Sequence, residues 1–206
     1  MIFKSQKFSK FYKKMTISIV NYGVSNLGSI VNMLKKIGVS TNIVSSKDDI
    51  EKAKKLILPG VGAFDNGVSS LKSLKIFDAI KIAANKDVPI LGICLGMQLL
   101  GEESEEGNEE GLGLIPGKTI RFNLKDQNLK VPHMGWNEIK PSQDSNLLEN
   151  LDNNSRFYFV HSYHFKTKIE TNSLAKTNYG IDFNSIIQHK KVFGTQFHPE
   201  KSHKFG

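Results

Sequence analysis

The amino-acid sequence predicts an α/β fold built on a doubly wound, mostly parallel sheet, with helices on both faces and extra antiparallel strands in the C-terminal half. Up to Leu100, short β-branched runs alternate with segments whose apolar residues recur every three or four positions. After Leu100, closely spaced glycines and short β-rich runs replace this alternation. Alternating strands and helices are typical of a parallel sheet, whereas consecutive strands favour antiparallel pairing.

The elements of the first half follow from local signals. The run Thr16–Val20 is rich in β-branched residues, and the next segment has helical spacing until Gly38 closes it. The predicted strands are residues 16–20, 41–45, 55–58 and the apolar run before Cys94, and the predicted helices are about 27–37, 47–54, 64–73 and 76–85. In the second half, short strands are predicted near 118–122, 131–133, 157–161, 173–177, 184–188 and 192–197.

Length and composition indicate one globular domain. The chain has 206 residues, of which 39% are hydrophobic and 23% are charged. We assign residues 15–206 to this domain and residues 1–14, which carry five lysines and no acid, to a basic extension that we expect to be disordered. A single cysteine excludes an intramolecular disulfide, and no apolar run approaches the roughly 18 residues of a membrane span. We therefore expect a cytoplasmic protein.

The charge distribution argues against nucleic-acid binding. The net charge is +8, but five of these charges lie in the extension, so the body of the chain is only mildly basic. Arg121 and Arg156 are the only arginines among 28 basic residues, whereas base and phosphate recognition relies on arginine. No nucleic-acid partner and no membrane contact are expected.

Cys94 has the surroundings of a nucleophile. It stands between an apolar strand and a helix-like run, with Gly92 and Gly96 two residues to either side. This is the pattern of a nucleophile elbow, in which a sharp strand-to-helix turn raises the side chain out of the sheet. The following helix N-terminus favours a thiolate. The alternative is a small buried hydrophobic residue.

A second segment supplies a base for this cysteine. In the run ending His198-Pro199-Glu200, strand periodicity would let His198 and Glu200 point the same way, so the carboxylate can orient the imidazole. An oriented histidine can take a proton from a thiol and give it to a leaving amine. Taken alone, this tripeptide is more often a turn with a surface charge. Together with Cys94 it predicts a Cys-His-Glu catalytic triad.

A glycine loop follows the third predicted strand. Gly60, Val61 and Gly62 can offer backbone N–H groups to an anion, but Asp65 stands where a dinucleotide fingerprint needs glycine. We therefore expect no nucleotide cofactor. The Gly60–Val61 peptide is predicted to form an oxyanion hole with the Leu95 N–H, and a plain structural turn is the alternative.

Together these segments resemble the class I (triad) glutamine amidotransferases. The resemblance rests on GICLGMQ at 92–98 and QFHPE at 196–200, and it covers the chain from about Thr16 to its end. Five further segments narrow it to the subfamily of glutaminase subunits of imidazole glycerol phosphate synthase: NYG at 21–23 with Asn26, LPGVGAF at 58–64, HMGWN at 133–137, YFVHSY at 158–163 and HPEKS at 198–202.

The resemblance implies the chemistry and the binding residues. Cys94 would attack the side-chain amide of glutamine, His198 would protonate the departing ammonia, and Glu200 would orient His198. The positions implied to line the glutamine pocket are Gly62, Gln98, Glu106, Ser162 and Tyr163. Glu106 would bind the substrate ammonium, although composition alone allows the acidic run at 102–106 to be a solvated loop.

The resemblance also implies a protein partner. The chain has no site for an ammonia acceptor, and the family forms a heterodimer with a (β/α)8-barrel cyclase that makes imidazole glycerol phosphate in histidine biosynthesis. The positions implied to face the barrel are Asn21, Asn26, Trp136 and Lys201; Trp136 could instead be a core aromatic. Family members continue after residue 202 into a final helix, which we expect this chain to lack.

Other functions remain open from the sequence. The closest is a paralogous glutaminase subunit that supplies ammonia to a sugar amidotransferase in surface-polysaccharide biosynthesis. A catalytically silent partner-binding module and a cysteine hydrolase on a related scaffold are the alternatives of other classes. His161 and His164, three positions apart on one predicted strand, would lie on opposite faces, and the remaining histidines lack ligand spacing, so no metal site is expected.

Overall fold

The computed structural model describes residues 16–149, 151 and 155–206, so the predicted extension at 1–14 lies outside the described residues. Its centre is one large mixed sheet. The strands of its parallel half are β1 (Thr16–Val20), β2 (Ser40–Val44), β3 (Leu56–Gly60), β4 (Ile90–Cys94) and β13 (Val192–Thr195), in the spatial order β2-β1-β3-β4-β13. The register places Gly60 beside Cys94 at the carboxyl ends of β3 and β4. Crevices at these ends are where open α/β sheets bind ligands.

Helices cover both faces of this parallel half. They are α1 (Leu27–Lys36), α2 (Lys47–Lys52), α3 (Phe64–Ser73), α4 (Phe77–Asn85) and the short α5 (Leu95–Leu99). Helix α1 packs its buried residues with Ile57 and Ile93, on one face of the sheet. The other helices pack on the opposite face with Leu56 and Leu58, the neighbours of Ile57 in the strand. Because both faces are covered, the central strands β3 and β4 are almost entirely buried and apolar, whereas the edge strand β2 is largely exposed. The doubly wound fold is confirmed.

The C-terminal half continues the sheet with antiparallel strands. They are β6 (Gly117–Arg121), β8 (Lys140–Pro141), β10 (Tyr163–Thr167), β11 (Ser173–Asn178) and β12 (Asp182–His189), and the short β5 (Glu103–Ser104) pairs with β6 in parallel. Strand β12 joins this part to the parallel half by pairing with β13. The predicted extension of the sheet by antiparallel strands is therefore confirmed.

A separate small sheet lies over the carboxyl end of the parallel strands. It consists of β7 (His133–Glu138) and β9 (Arg156–His161), paired antiparallel. Tyr158 of β9 also forms an isolated antiparallel bridge with His198, which ties this sheet to the predicted catalytic segment. Its inner residues, including Phe157 and Phe159, form a second core with Phe183 and Phe197.

Two predicted strands differ from the structure, and one observed strand was not predicted. Residues 131–133 are mostly a loop, and β7 begins only at His133. The strand predicted at 192–197 ends at Thr195. Strand β10 was not predicted, because the apolar run from 157 onward does not reveal the break at Ser162. In the described part of the chain, no helix has both the length and the apolar character needed to cross a bilayer.

Candidate active site

Cys94 occupies a strained turn between β4 and α5. Its backbone has φ 53° and ψ −110°, a conformation that non-glycine residues rarely adopt. Such strain persists only where the surrounding structure enforces it, and it is concentrated at functional sites. The structure thus gives Cys94 the geometry of the predicted elbow.

The glycines around Cys94 make this turn possible. A Cβ on Gly96 would collide with the Leu58 carbonyl of β3, and one on Gly92 would lie 2.6 Å from the Gly96 carbonyl oxygen. The helix start can therefore lie directly on the two central strands only because both positions lack a side chain. This close approach holds the Cys94 side chain at the carboxyl end of the sheet.

His198 and Glu200 form a buried pair. Nδ1 of His198 lies 2.7 Å from Oε1 of Glu200, and both side chains are almost fully buried. The two residues do not share a strand, which corrects the predicted reason for their alignment. His198 precedes a 3₁₀ turn, Pro199–Lys201, and this turn brings the Glu200 carboxylate back to the imidazole.

The backbone of His198 is held from two sides. Its N–H donates to the Tyr158 carbonyl at 3.0 Å, and its carbonyl accepts from the Ser202 hydroxyl at 2.6 Å. The Ser202 oxygen in turn accepts from the Tyr158 N–H at 3.0 Å. Two of these three hydrogen bonds involve Tyr158, so β9 and Ser202 together hold the His198 backbone in place.

The surroundings of His198 favour its protonated form. Burial by itself lowers the pKa of this histidine, but hydrogen bonding and charge interactions with Cys94 and Glu200 outweigh burial and raise the pKa to about 9. The protonated form is therefore favoured at neutral pH. Because Nδ1 is hydrogen-bonded to Glu200, Nε2 is the ring nitrogen left to interact with Cys94.

Most of the predicted site residues line one cavity of about 640 Å³. The predicted residues on its wall are Asn26, Val61, Gly62, Cys94, Leu95, Gln98, Glu106, Ser162, Tyr163, His198 and Lys201. Pro132, Val160 and His161 also line it and were not predicted as site residues. Segments that are far apart in the sequence thus converge on the sulfur.

Glu106 is held at this cavity by a defined loop. Its Oε2 accepts the N–H of Phe64, the first residue of α3, at 2.9 Å. The Asp65 carboxylate accepts the N–H groups of Asn108 and Glu109 at 3.0 Å, and a Cβ on Gly107 would collide with it. Burial, with Asp65 nearby, raises the pKa of Glu106 despite the hydrogen bond from Phe64. Glu106 is therefore half-buried and hydrogen-bonded, whereas Glu103 and Glu105 of the same acidic run are exposed.

The predicted oxyanion-hole peptide is engaged elsewhere in this structure. The N–H of the Gly60–Val61 peptide belongs to Val61, and it donates to the Val24 carbonyl at 2.8 Å. The Tyr22 hydroxyl donates to the Pro59 carbonyl at 2.6 Å, and burial together with Cys94 raises the pKa of Tyr22, which keeps that donor protonated. In this conformation the Val61 N–H is not available to an oxyanion.

Two of the four positions predicted to face a partner line the cavity. Asn26 and Lys201 are exposed and line the cavity, and Oδ1 of Asn21 accepts the Gly23 N–H at 3.3 Å. Trp136 is 45% exposed, so the alternative of a core aromatic is wrong. Its ring stacks on His203 at 5.5 Å between centroids.

The predicted arrangement of His161 and His164 is wrong. Because Ser162 interrupts the strand, His161 ends β9 and Tyr163 begins β10, and both imidazoles pack on Phe122, at 5.2 and 4.8 Å between centroids. Burial lowers the pKa of His161 to about 3 and that of His164 to about 4. Among the described residues, no group of three or more His, Cys, Asp or Glu side chains is placed to hold a metal ion.

Gln196 contacts Cys94 but was not predicted as a site residue from the sequence. Its Nε2 lies 3.9 Å from the Cys94 sulfur, and its Oε1 accepts from Nε2 of Gln98 at 3.3 Å. Its position two residues before His198 was visible in the sequence, but a glutamine at the end of a strand is not by itself a sign of catalysis.

The strained Cys94 turn, the carboxylate-bound His198 and the wall containing Glu106 thus lie together on a doubly wound sheet. The family model for class-I glutamine amidotransferases matches residues 18–206, so this chain belongs to that family. The family, the fold class and the enzyme class predicted from the sequence are confirmed.

Individual relatives show which members of the family this chain is similar to. The protein named imidazole glycerol phosphate synthase subunit HisH 2 of Methanococcus maripaludis is 50% identical over 191 residues, which cover 92% of this chain and 94% of the relative. The HisH 2 subunit of Pseudomonas aeruginosa is 47% identical over the same shares. A HisH 1 subunit of Campylobacter jejuni is 45% identical over 92% of this chain and 94% of the relative.

Solved structures agree on the fold. A glutamine amidotransferase superposes with a TM-score of 0.68 at 22% identity, over 89% of this chain and 90% of that chain. PurLQS of Thermotoga maritima superposes with a TM-score of 0.67 at 20% identity, over 91% of this chain and 88% of that chain.

Proposed function

We propose that this chain hydrolyses glutamine to glutamate and ammonia with Cys94 as nucleophile, as the glutaminase subunit of an imidazole glycerol phosphate synthase. The observation that carries the proposal is the convergence of the strained Cys94 turn and the His198–Glu200 pair on one cavity that also holds Glu106. The identity of 42–50% to proteins named HisH supports it.

The reaction proceeds in two halves. The Cys94 thiolate, stabilised by the neighbouring imidazolium, attacks the side-chain carbonyl carbon of glutamine and forms a tetrahedral intermediate. As the C–N bond breaks, His198 gives its Nε2 proton to the nitrogen, and ammonia leaves a glutamyl thioester. His198 then takes a proton from water, the hydroxide attacks the thioester, and breaking of the C–S bond releases glutamate and restores the thiolate. Glu200 keeps Nδ1 of His198 protonated throughout.

The cavity matches the polarity of glutamine. A free amino acid carries an ammonium and a carboxylate, and burying either requires a partner of opposite charge or hydrogen bonds. Glu106 supplies the negative charge for the ammonium, and its bond to Phe64 N–H fixes the free carboxylate oxygen. Gly62, Gln98, Ser162 and Tyr163 complete the proposed contacts on the cavity wall.

The oxyanion hole is proposed to form from the Leu95 N–H and the Gly60–Val61 peptide. Leu95 begins α5, where backbone N–H groups lack helical acceptors. The Val61 N–H can join it only after leaving the Val24 carbonyl, so the loop after β3 must change conformation before the second donor is in place. Losing one oxyanion donor lowers turnover by about a hundredfold.

The partner is proposed to be a (β/α)8-barrel cyclase that receives the ammonia in a heterodimer. Large apolar residues are exposed on the cavity wall and on the neighbouring β7 segment, and grouped exposed apolar residues mark interaction sites. They are Val61 on the wall at 41%, Val131 beside the wall residue Pro132 at 37%, and Met134 and Trp136 of β7 at 61% and 45% exposure. A partner seated there would cover the cavity mouth and receive ammonia from it.

A paralogous subunit for surface-polysaccharide biosynthesis is the second candidate. The number 2 in the names of the Methanococcus and Pseudomonas relatives is compatible with a separate role for such copies. The triad chemistry would be the same, and only the cognate barrel would differ.

Glutamate release from glutamine tests the proposal. The purified chain is measured alone and with the histidine-pathway barrel and its ribulosyl-phosphate ligand, beside Cys94→Ala. We expect release that depends on Cys94 and increases with the barrel. Release by Cys94→Ala at the wild-type rate, or none from the folded and barrel-bound wild type, would overturn it; binding and activation only by a second barrel would favour the paralogue.

A further inference from the structure

Gln196 lies fully buried beside the nucleophile. It directly follows β13, its backbone N–H donates to the Ser185 carbonyl at 2.9 Å, and its side chain is 0% exposed. Nε2 lies 3.9 Å from the Cys94 sulfur, a long N–H···S contact. A buried amide without partners would be costly, so both ends of this side chain require an explanation.

The orientation of the amide follows from a backbone carbonyl two contacts away. The Tyr163 carbonyl can only accept, and Nε2 of Gln98 donates to it at 3.2 Å. The same Nε2 lies 3.3 Å from Oε1 of Gln196 and supplies its second hydrogen there. The Gln196 oxygen is thus occupied, and its N–H group faces Cys94.

The same carbonyl is fixed from its other side. Nδ1 of His161 lies 2.7 Å from the Tyr163 oxygen and must carry the hydrogen. Nε2 of His161 then accepts from Nδ1 of His133 at 3.1 Å. Because burial lowers the pKa of His161 to about 3, this donor stays in one neutral tautomer throughout the neutral range. The Tyr163 carbonyl is therefore a fixed acceptor, which sets the orientation of the Gln98 amide and, through it, that of the Gln196 amide.

We propose that Gln196 is a positioning residue that donates an N–H to the Cys94 sulfur. The hydrogen bonds that run from the Tyr163 carbonyl through Gln98 to Gln196 fix the orientation of this donor. The inference rests on the proposed function only in that Cys94 is the nucleophile. An N–H donor stabilises the thiolate more than the thiol and restrains the sulfur, and Gln98, on the cavity wall, links this restraint to the site where glutamine is proposed to bind.

The test measures the reactivity of Cys94 directly. Because Cys94 is the only cysteine, the rate of alkylation by iodoacetamide as a function of pH reports this sulfur alone. Other titratable groups at or near the sulfur also affect the profile, and they are His198, Glu200, Tyr22, Glu106 and Lys201. Each variant keeps all of them, so differences between profiles report the substituted side chain.

Three variants separate positioning from packing. Gln196→Met removes the donor, and we expect the midpoint of the alkylation profile to rise by about one pH unit, the effect of one hydrogen bond to a charged group. Gln196→Glu keeps the shape and is expected to raise the midpoint further, because it places a carboxylate beside the thiolate. Gln188→Met, at a partly exposed position on β12 whose amide donates to the Lys190 carbonyl, is the matched control and should leave the midpoint unchanged.

The outcomes are distinct. Midpoints within about 0.2 pH unit of wild type in folded Gln196→Met and Gln196→Glu would overturn the inference, even if thermal stability fell. If Gln196→Met does not fold, Gln196→Glu decides alone. Shifted midpoints in a chain that releases no glutamate would support the N–H···S contact and refute the glutaminase proposal, so the two failures are distinguishable.

Discussion

Replacing His164 with phenylalanine should make the fold less sensitive to acid. The His164 ring packs on Phe122 and Phe183, at 4.8 and 5.9 Å between centroids, and neither ring nitrogen has a hydrogen-bond partner among the described residues. Phenylalanine has nearly the same shape and no polar atoms to bury. At pH 7 we therefore expect His164→Phe to be as stable as wild type or slightly more stable.

The magnitude follows from proton linkage. Burial lowers the pKa of His164 from 6.5 to about 4 in the folded chain, so the unfolded chain binds the proton first as pH falls. Above pH 6.5, His164 is neutral in both the folded and the unfolded chain and does not lower the free energy of unfolding. Between pH 6.5 and about 4, the unfolded chain binds the proton more strongly, so the free energy of unfolding falls as the pH falls. One such histidine removes about 2 kcal/mol from the free energy of unfolding between pH 7 and pH 5. His133 and His161, also shifted downward by burial, act in the same direction.

Urea unfolding at pH 7, 6 and 5 measures this effect. The free energy of unfolding of His164→Phe should fall by about 2 kcal/mol less than that of wild type between pH 7 and pH 5. Equal losses in the two proteins would refute the reasoning, because they would mean that His164 binds its proton equally well in the folded and unfolded chains.

Three further outcomes are expected. Glu200→Gln should lower kcat by about a hundredfold with little change in KM. It should also move the alkaline limb of the pH–rate profile to lower pH, because Glu200 helps to hold the pKa of His198 near 9. An alkaline limb at the wild-type pH would contradict this role. Gly96→Ala should cost about 3 kcal/mol or more in thermal unfolding, whereas Gly28→Ala, whose Cβ would make only an ordinary contact with the Asn26 side chain at 3.8 Å, should be tolerated. Trp136→Ala should weaken barrel binding by about thirtyfold in calorimetry without lowering the melting temperature of the free chain; unchanged binding would place the interface elsewhere.

The Cys94 turn and the His198–Glu200 contact were predictable because their signals are local. The glycines two residues to either side of Cys94 indicate that other backbone groups lie very close to this turn. The structure shows the carbonyl groups that a side chain at either glycine would meet. The His-Pro-Glu order likewise brings a carboxylate to the imidazole, although through a 3₁₀ turn rather than a strand. In both cases the determining contacts lie within a few residues or on the adjacent strand.

The strands around Ser162 were not predictable from local pattern. Residues 156–167 form a nearly continuous β-favouring run, but β9 pairs with β7 in the small sheet, whereas β10 pairs with β6 and β12 in the large one. The break is determined by these distant partners. The contact of both His161 and His164 with one phenylalanine follows from the same break.

The orientation of single polar groups was also beyond sequence reasoning. Whether the Val61 N–H faces the sulfur or the Val24 carbonyl depends on the rotation of one peptide plane. The residue types in this segment do not indicate that rotation. The position of Gln196 against Cys94 depends on a relay anchored at Tyr163. Such contacts become visible only when the segments are placed together.

The most direct test of the account is the nitrogen source used by the complex with the barrel subunit. Formation of imidazole glycerol phosphate is measured with glutamine or with ammonium salts, for wild type and Cys94→Ala. Cys94→Ala is expected to lose synthesis from glutamine but to keep synthesis from ammonia, because the thiolate acts only before ammonia is released. Synthesis from glutamine at the wild-type rate in Cys94→Ala would contradict it.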